Sequence, residues 1–216
     1  MSTLDELALL HGTDKASSHH GYCAIYERYL QPLRTSPVRL LEIGTQFNFS
    51  VRMWLDYFRH GGAEIIGVDL IDNAAANPKY RVEDPRFTFL QGDQKDWEFW
   101  KNAIGLIAPL DVIIDDGSHR AEDQDVAFNS LWQFLRPGGL YCLEDVFTWW
   151  HPHFESKVNG RFWLKDMISE LNGNGIDFFG NPTPPEILPA KNILERTIDF
   201  IHCYRGLVII GKKPKC

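Results

Sequence analysis

The sequence predicts an α/β fold: a doubly wound sheet, mostly parallel, that finishes in an antiparallel hairpin. Three observations predict it. Between residues 38 and 143, short runs of branched and aliphatic residues alternate with longer amphipathic segments, the pattern of strands fed by helices. Each of these short runs ends at or just before an acidic residue. Near the C-terminus, two further apolar runs flank Cys203-Tyr204-Arg205-Gly206, which has the composition of a hairpin turn.

Residues 38–43 form the first expected strand, because branched and aliphatic side chains run into Gly44. Residues 50–59 read as a helix, 63–70 as a second strand and 86–91 as a third. Trp97 and Trp100 fall on a helix and read as packing residues. The fourth strand is 110–116. Helix 122–135 follows, with Val126, Phe128, Leu131, Trp132 and Leu135 near helical spacing. Pro137-Gly138-Gly139 ends that helix, and 140–143 is a fifth strand. Strands joined through helices imply parallel pairing with right-handed crossovers. Segments 196–202 and 207–211 make the terminal hairpin. Segment 149–189 is rich in Pro, Gly and Asn, with one helix near 162–171, and reads as a lid beside the site in which acceptor specificity should reside. Residues 1–216 therefore read as a single domain.

Composition narrows the class. The chain has 216 residues, 44% hydrophobic and 24% charged, enough for one sizeable core. A formal net charge of -7 argues against nucleic acid as a partner, since phosphate binding needs clustered Lys and Arg. The longest apolar runs, 140–143 and 207–210, are too short to span a membrane. The start, Met1-Ser2-Thr3-Leu4-Asp5-Glu6, lacks the basic and apolar regions of a signal peptide. Cys23, Cys142, Cys203 and Cys216 show no CxxC pairing, so free thiols in a reducing cytoplasm are expected.

The acids at the strand ends are Glu42, Asp69, Asp93, Asp115-Asp116 and Glu144-Asp145. In an open parallel sheet, ligands bind beyond the carboxyl ends of the strands. Any one of these acids could simply cap a helix or turn. All five on one rim describe a site. Asp69 suits both ribose hydroxyls of a nucleoside cofactor, and Asp93 lies where an adenine amino group could be met. Gly44 would let backbone approach the cofactor closely. The first loop, Gly44-Thr45-Gln46-Phe47-Asn48-Phe49-Ser50, lacks GxGxxG, so a pyrophosphate has no glycine-lined seat. That favours S-adenosylmethionine, which carries no phosphate, over a nicotinamide cofactor.

Asp116, Glu144 and Asp145 would converge at the ends of adjacent strands and repel one another unless a cation is present. All-oxygen ligation points to Mg²⁺ or another hard divalent ion. Asp115 and Asp116 are consecutive, so their side chains face opposite ways, and one can serve the cofactor while the other binds metal. His119 stands three residues beyond Asp116, where an imidazole titrating near neutrality suits a general base. Taken alone, it would read as an ordinary helix-start residue.

These residues resemble the Mg²⁺- and S-adenosylmethionine-dependent sugar O-methyltransferases of macrolide biosynthesis, the mycinamicin and demethylmacrocin type. The resemblance rests on three pieces. The first is His11-Gly12-Thr13-Asp14-Lys15 followed by His20, Tyr22 and Tyr26. The second is Leu41-Glu42-Ile43-Gly44 with Ser50, Arg52, Met53 and Trp54. The third is Ile114-Asp115-Asp116-Gly117-Ser118-His119 with Leu143-Glu144-Asp145-Val146. It covers roughly the first 150 residues. It implies a class I methyltransferase with a Rossmann-like sheet and terminal hairpin. It also implies metal ligation by Asp116, Glu144 and Asp145, with His119 as base. Cofactor contacts are implied from Gly12, Thr13, Lys15, Glu42, Gly44 and Asp69, with residues 1–36 covering the cofactor. Lys15 is expected to pair with the methionyl carboxylate. Phe47-Asn48-Phe49 departs from the small residues usual in that loop. Asn48 tolerates a left-handed backbone, but the two rings must pack somewhere.

The expected reaction is O-methyl transfer to a hydroxyl of a small molecule, a sugar or deoxysugar of a natural product. A non-catalytic binding module and a nicotinamide-dependent oxidoreductase are the alternatives, and a homo-oligomer is left open. Trp149 and Trp150 could line an acceptor pocket or form the core of the lid. His151-Pro152-His153 reads as uncoordinated loop histidines.

Overall fold

The computed structural model describes residues 2–172 and 197–215. Among them, seven strands form one sheet in the order β3-β2-β1-β4-β5-β7-β6. These are β1 Arg39–Ile43, β2 Glu64–Asp69, β3 Phe87–Gln91, β4 Leu110–Asp115, β5 Leu135–Glu144, β6 Ile198–Cys203 and β7 Leu207–Lys212. β1 to β5 pair in parallel, and β7 runs antiparallel to both β5 and β6. The helices are α1 Leu4–His11, α2 Cys23–Leu30, α3 Phe49–Tyr57, α4 Asn73–Ala76, α5 Trp97–Ile107, α6 Ala121–Leu131 and α7 Gly160–Asn172. This is the mostly parallel, doubly wound fold of class I methyltransferases, and its strand order reverses between β1 and β4, where such sheets bind ligands.

Strand parity assigns the two faces. Leu40, Val112, Ile114, Cys142 and Ile209 pack with Leu4, Tyr26 and Trp54 from α1, α2 and α3. Leu41, Ile113, Tyr141, Leu143 and Ile210 pack with Trp100, Phe128 and Leu131 on the other side. Because side chains alternate along a strand, Glu42 and Glu144 face the layer built by the N-terminal helices. Asp115 faces the opposite layer.

The structure differs from the sequence reading in three places. Residues 1–36 contain two helices that the sequence reading did not assign. α1 opens with a capping box between Thr3 and Glu6 and closes on Gly12 in the left-handed region. α6 stops at Leu131, and a short 3-10 turn over Trp132–Phe134 leads directly into β5. Pro137-Gly138-Gly139 thus lies within a strand, where the β4–β5 register shifts between Leu110 and Val112 and Gly138 takes a positive φ. A bulge absorbs the proline that was expected to separate helix from strand. The terminal hairpin forms as expected, although Arg196 and residues 173–189 of the expected lid lie outside the described residues. Among the described residues, no helix is long and apolar enough to cross a membrane.

Candidate active site

The β1–α3 turn is the tightest part of the rim. Gly44 has φ +86°, and a Cβ there would overlap the carbonyl of Asp116. Glycine is required because this turn is wedged against the turn after β4, so the close approach is to the chain's own backbone. Gln46 and Asn48 continue the turn at φ 43° and 60°, the left-handed conformation that Asn48 accommodates. Phe47 stacks on Tyr80 at 4.5 Å, and Phe49 meets the same ring edge-on at 6.1 Å. The two rings therefore wall the rim.

Beneath this turn lies a cavity of about 470 Å³ lined by Gly12, Thr13, Gly44, Asp69, Asp116 and His119, among others. Asp69, at the end of β2, accepts hydrogen bonds from the backbone N–H of Gln46 (2.7 Å) and of Ile71 (3.1 Å). Glu42 is fully buried below the cavity, where Ser50 Oγ donates to it at 2.8 Å.

Four residues expected at the cofactor, Glu42, Asp93, Asp115 and Lys15, do not line this cavity. Asp93 accepts from the Lys95 N–H at 3.1 Å and serves its own turn. Its neighbour Gln94 points inward instead. The Gln94 amide donates to Asp115 at 3.0 Å and accepts from the Ser118 N–H at 2.7 Å, clamping the turn after β4. Asp115 is wholly enclosed in the far layer, also bonded by Tyr141 Oη at 3.0 Å. Burial lifts its carboxyl to about 7, against the pull of those two hydrogen bonds.

The main surprise is Lys15. Rather than facing the cavity, its ammonium is buried among three carboxylates: it donates to Asp116 and to Glu144 (2.9 Å), with Glu42 at 3.5 Å. The cation that converging acids require is thus partly supplied by the chain itself. Burial alone would lower the Lys15 pKa, but Asp116, Glu144 and Glu42 outweigh it and hold the pKa well above the ordinary value. Three acids share one cation, and burial raises all three carboxyls above their usual range.

Glu144, expected as a metal ligand, has both oxygens engaged: one accepts from Tyr26 Oη at 2.6 Å, the other from Lys15. Asp145 lies at φ 53°; one of its oxygens accepts from Tyr22 Oη at 2.6 Å and the other faces His119 Nε2 at 3.8 Å. His119 Nδ1 is 4.0 Å from Asp116 Oδ1 and is buried without a hydrogen-bond partner. Among the described residues, Asp116, His119 and Asp145 form the one group whose ligand atoms lie within 4.8 Å of one another. Two carboxylates and an unpartnered buried nitrogen suit a divalent cation.

Tyr22, Tyr26 and Gln94 position this site without having been assigned roles from the sequence. The two tyrosines lie in the N-terminal motif itself, four residues apart on adjacent turns of helix, and that spacing was the available signal. Trp149 turns inward, donating to Gln124 Oε1 at 2.8 Å and packing against Trp163. Trp150 is exposed beside Arg161. His151 and His153 lie near each other at the surface and belong to no metal-ligand group among the described residues.

Residues 41–146 match a family model described as a methyltransferase domain. Over 97% of its length the chain is 32% identical to the 8-demethyl-8-(2-methoxy-alpha-L-rhamnosyl)-tetracenomycin-C 3'-O-methyltransferase of Streptomyces olivaceus. It is 30% identical to the mycinamicin VI 2''-O-methyltransferase of Micromonospora griseorubida, again over 97% of this chain. The MycE methyltransferase of the mycinamycin pathway, solved with Mg and SAH, superposes with a TM-score of 0.85 at 29% identity, over 99% of this chain and 55% of that one. The chain spans about half the length of the curated relatives it matches, 53% and 52% for the two named.

Proposed function

We propose, from the premise that this chain carries a class I methyltransferase domain similar to those of the macrolide and tetracenomycin sugar O-methyltransferases, that it moves the methyl group of S-adenosylmethionine to a hydroxyl of a glycosylated natural product. One observation carries this reading: the cavity at the sheet's switch point opens onto the Asp116–His119–Asp145 cluster. A methyl donor held in that cavity would lie beside both the base and the acids.

Asp69 offers the ribose hydroxyls two carboxylate oxygens, already oriented by Gln46 and Ile71. Gly12 and Thr13 close the cavity from the N-terminal side. Asp116 and Asp145 would hold the divalent cation. Glu144, behind them on Lys15, adds negative charge to the site rather than a free oxygen. When bound, the cation lowers the pKa of a coordinated hydroxyl. His119 takes the acceptor proton through Nε2, the ring nitrogen that is not buried against Asp116. Thr148 Oγ1 bonds the His119 carbonyl at 2.8 Å and so fixes the ring's backbone. The free buried thiols of Cys23 and Cys142 fit a cytoplasmic enzyme.

Calorimetric titration of S-adenosylmethionine, with Mg²⁺ and then with EDTA, tests the reading. Micromolar binding in both conditions, followed by Mg²⁺-dependent methylation of a rhamnosylated or macrolide acceptor, is the expected result. No binding in either condition overturns it.

A further inference from the structure

A second cavity, of about 650 Å³, is lined by Tyr22, whose hydroxyl donates to Asp145. We propose that it seats the glycoside acceptor and that His20, Phe147 and Arg205 determine acceptor specificity; the proposal rests on the methyl-transfer reading above. Three separate segments build this cavity at the carboxyl end of β5. They are the stretch before α2 (His19, His20, Tyr22), the residue Phe147 just past β5, and the β6–β7 turn (Tyr204, Arg205).

Its connection to the reacting centre is a single carboxylate. Tyr22 lines the cavity and donates to one oxygen of Asp145, whose other oxygen faces His119. A ligand resting on Tyr22 is therefore one side chain away from the acid–base cluster. The wall is rigid. Tyr22 Oη also lies 3.2 Å from the Gly206 carbonyl, which in turn accepts from the Val146 N–H at 3.1 Å. A Cβ at Gly206 would overlap the tyrosine hydroxyl, so the turn is closed onto this floor.

The lining chemistry fits a sugar carrying an oxygen-rich aglycone. His20 stacks on Tyr22 at 5.2 Å and 15°, and Phe147 lies 6.1 Å from His20. Phe147 is 50% exposed. An aromatic platform of this kind meets the C–H face of a pyranose. Arg205 and His19 add donors, and among the described residues no carboxylate lines the cavity, so carbonyl and hydroxyl oxygens of an aglycone can be met by donors. The volume falls within the range of pockets that enclose drug-sized ligands. Specificity then resides in the N-terminal segment and the terminal hairpin.

The test uses the protein loaded with Mg²⁺ and SAH, with 4-nitrophenyl α-L-rhamnopyranoside as probe and amide NMR shifts as readout. At millimolar probe, shifts are expected at Phe147, Tyr204 and Arg205, and Phe147→Ala and Arg205→Ala should each weaken probe binding by roughly tenfold. Both positions are exposed, so the variants should keep the wild-type affinity for SAH. Shifts confined to residues 149–172 or to the first cavity, or no shift at 147, 204 and 205 while SAH binds, overturn the proposal and leave methyl transfer standing. If SAH itself fails to shift Gln46 and Ile71, the methyl-transfer reading falls and takes this proposal with it.

Discussion

Replacing Lys15 with Met removes the one cation that Glu42, Asp116 and Glu144 share among the described residues. The substitution keeps much of the volume, so the consequence is electrostatic. Removing one partner of a buried ion pair costs about 3–5 kcal/mol, because the other charge remains buried and unpaired. Lys15 serves three acids, which places the loss near the upper end, about 5 kcal/mol. For a chain of this size each kcal/mol lowers Tm by about 2–4 °C, so a drop of about 10–20 °C is expected. The loss should depend on pH in a definite sense. The Lys15 pKa is raised in the folded protein, so its ammonium stays charged in both states across the neutral range and contributes no slope there. The carboxyls are raised, so in the variant their penalty grows as pH rises through their folded values and fades as pH falls. Urea denaturation at acidic, neutral and alkaline pH, followed by tryptophan fluorescence, reads both effects. A loss under about 1 kcal/mol, or one that does not shrink toward acid, would refute the argument that Lys15 compensates these acids. Mg²⁺ should also raise the Tm of the variant more than that of the wild type.

His119→Ala should abolish methyl transfer while leaving S-adenosylmethionine affinity within about twofold; parallel turnover and calorimetry measurements decide, and equal loss of both removes the base assignment. Gly44→Ala forces a side chain into the Asp116 carbonyl at a positive φ, so a loss of about 2–4 kcal/mol in chemical denaturation and weaker cofactor binding are expected. Asp115→Asn removes a carboxyl lifted to about 7 by burial. The wild type binds the extra proton only when folded, so its stability falls as pH rises from about 4 to above 7. Relative to the variant it should lose roughly 3 kcal/mol between pH 5 and 8; parallel pH profiles of the two proteins would expose the missing difference.

The parts of the fold read correctly from sequence were those set by local pattern. Strands such as Arg39–Ile43 carry alternating faces and end at a glycine that no other residue could replace. The order of acids along the rim was equally legible, because strand direction alone places them there. What the pattern could not supply was the third dimension. Lys15 stands 101 residues before Asp116 in sequence, so nothing local shows that the N-terminal layer delivers its ammonium to that acid. The same gap hid the engagement of Glu144 by Tyr26. Parity could have separated Asp115 from the cavity, since it faces the layer opposite to Glu42 and Glu144. The exchange of Asp93 for Gln94 was not available at all: one residue after a strand, the chain is free to turn either side chain inward. The α1 helix went unread although Thr3-Leu4-Asp5-Glu6 carries the spacing of a capping box.

Among the described residues, the non-glycine positions with positive φ are Gln46, Asn48, His119 and Asp145, and all four lie at this rim. A left-handed backbone costs a non-glycine residue of order 1 kcal/mol, so their coincidence at one site needs a cause. At the end of a strand the chain must reverse within a few residues. An ordinary reversal would point the side chain after the strand away from its neighbour's. At Asp145 the left-handed step leaves one oxygen on Tyr22 and turns the other toward His119. At His119 it leaves Nδ1 buried and unpartnered beside Asp116. The Thr148 hydroxyl lies 2.8 Å from the carbonyls of both residues, and Gln94 pins the turn between Asp116 and His119. Glycine at either position would relieve the backbone but remove the carboxylate or the imidazole that the turn exists to aim. The strain is therefore the cost of holding a carboxylate and an imidazole that follow two different strands within 3.8 Å of each other, and the neighbouring hydrogen bonds offset it.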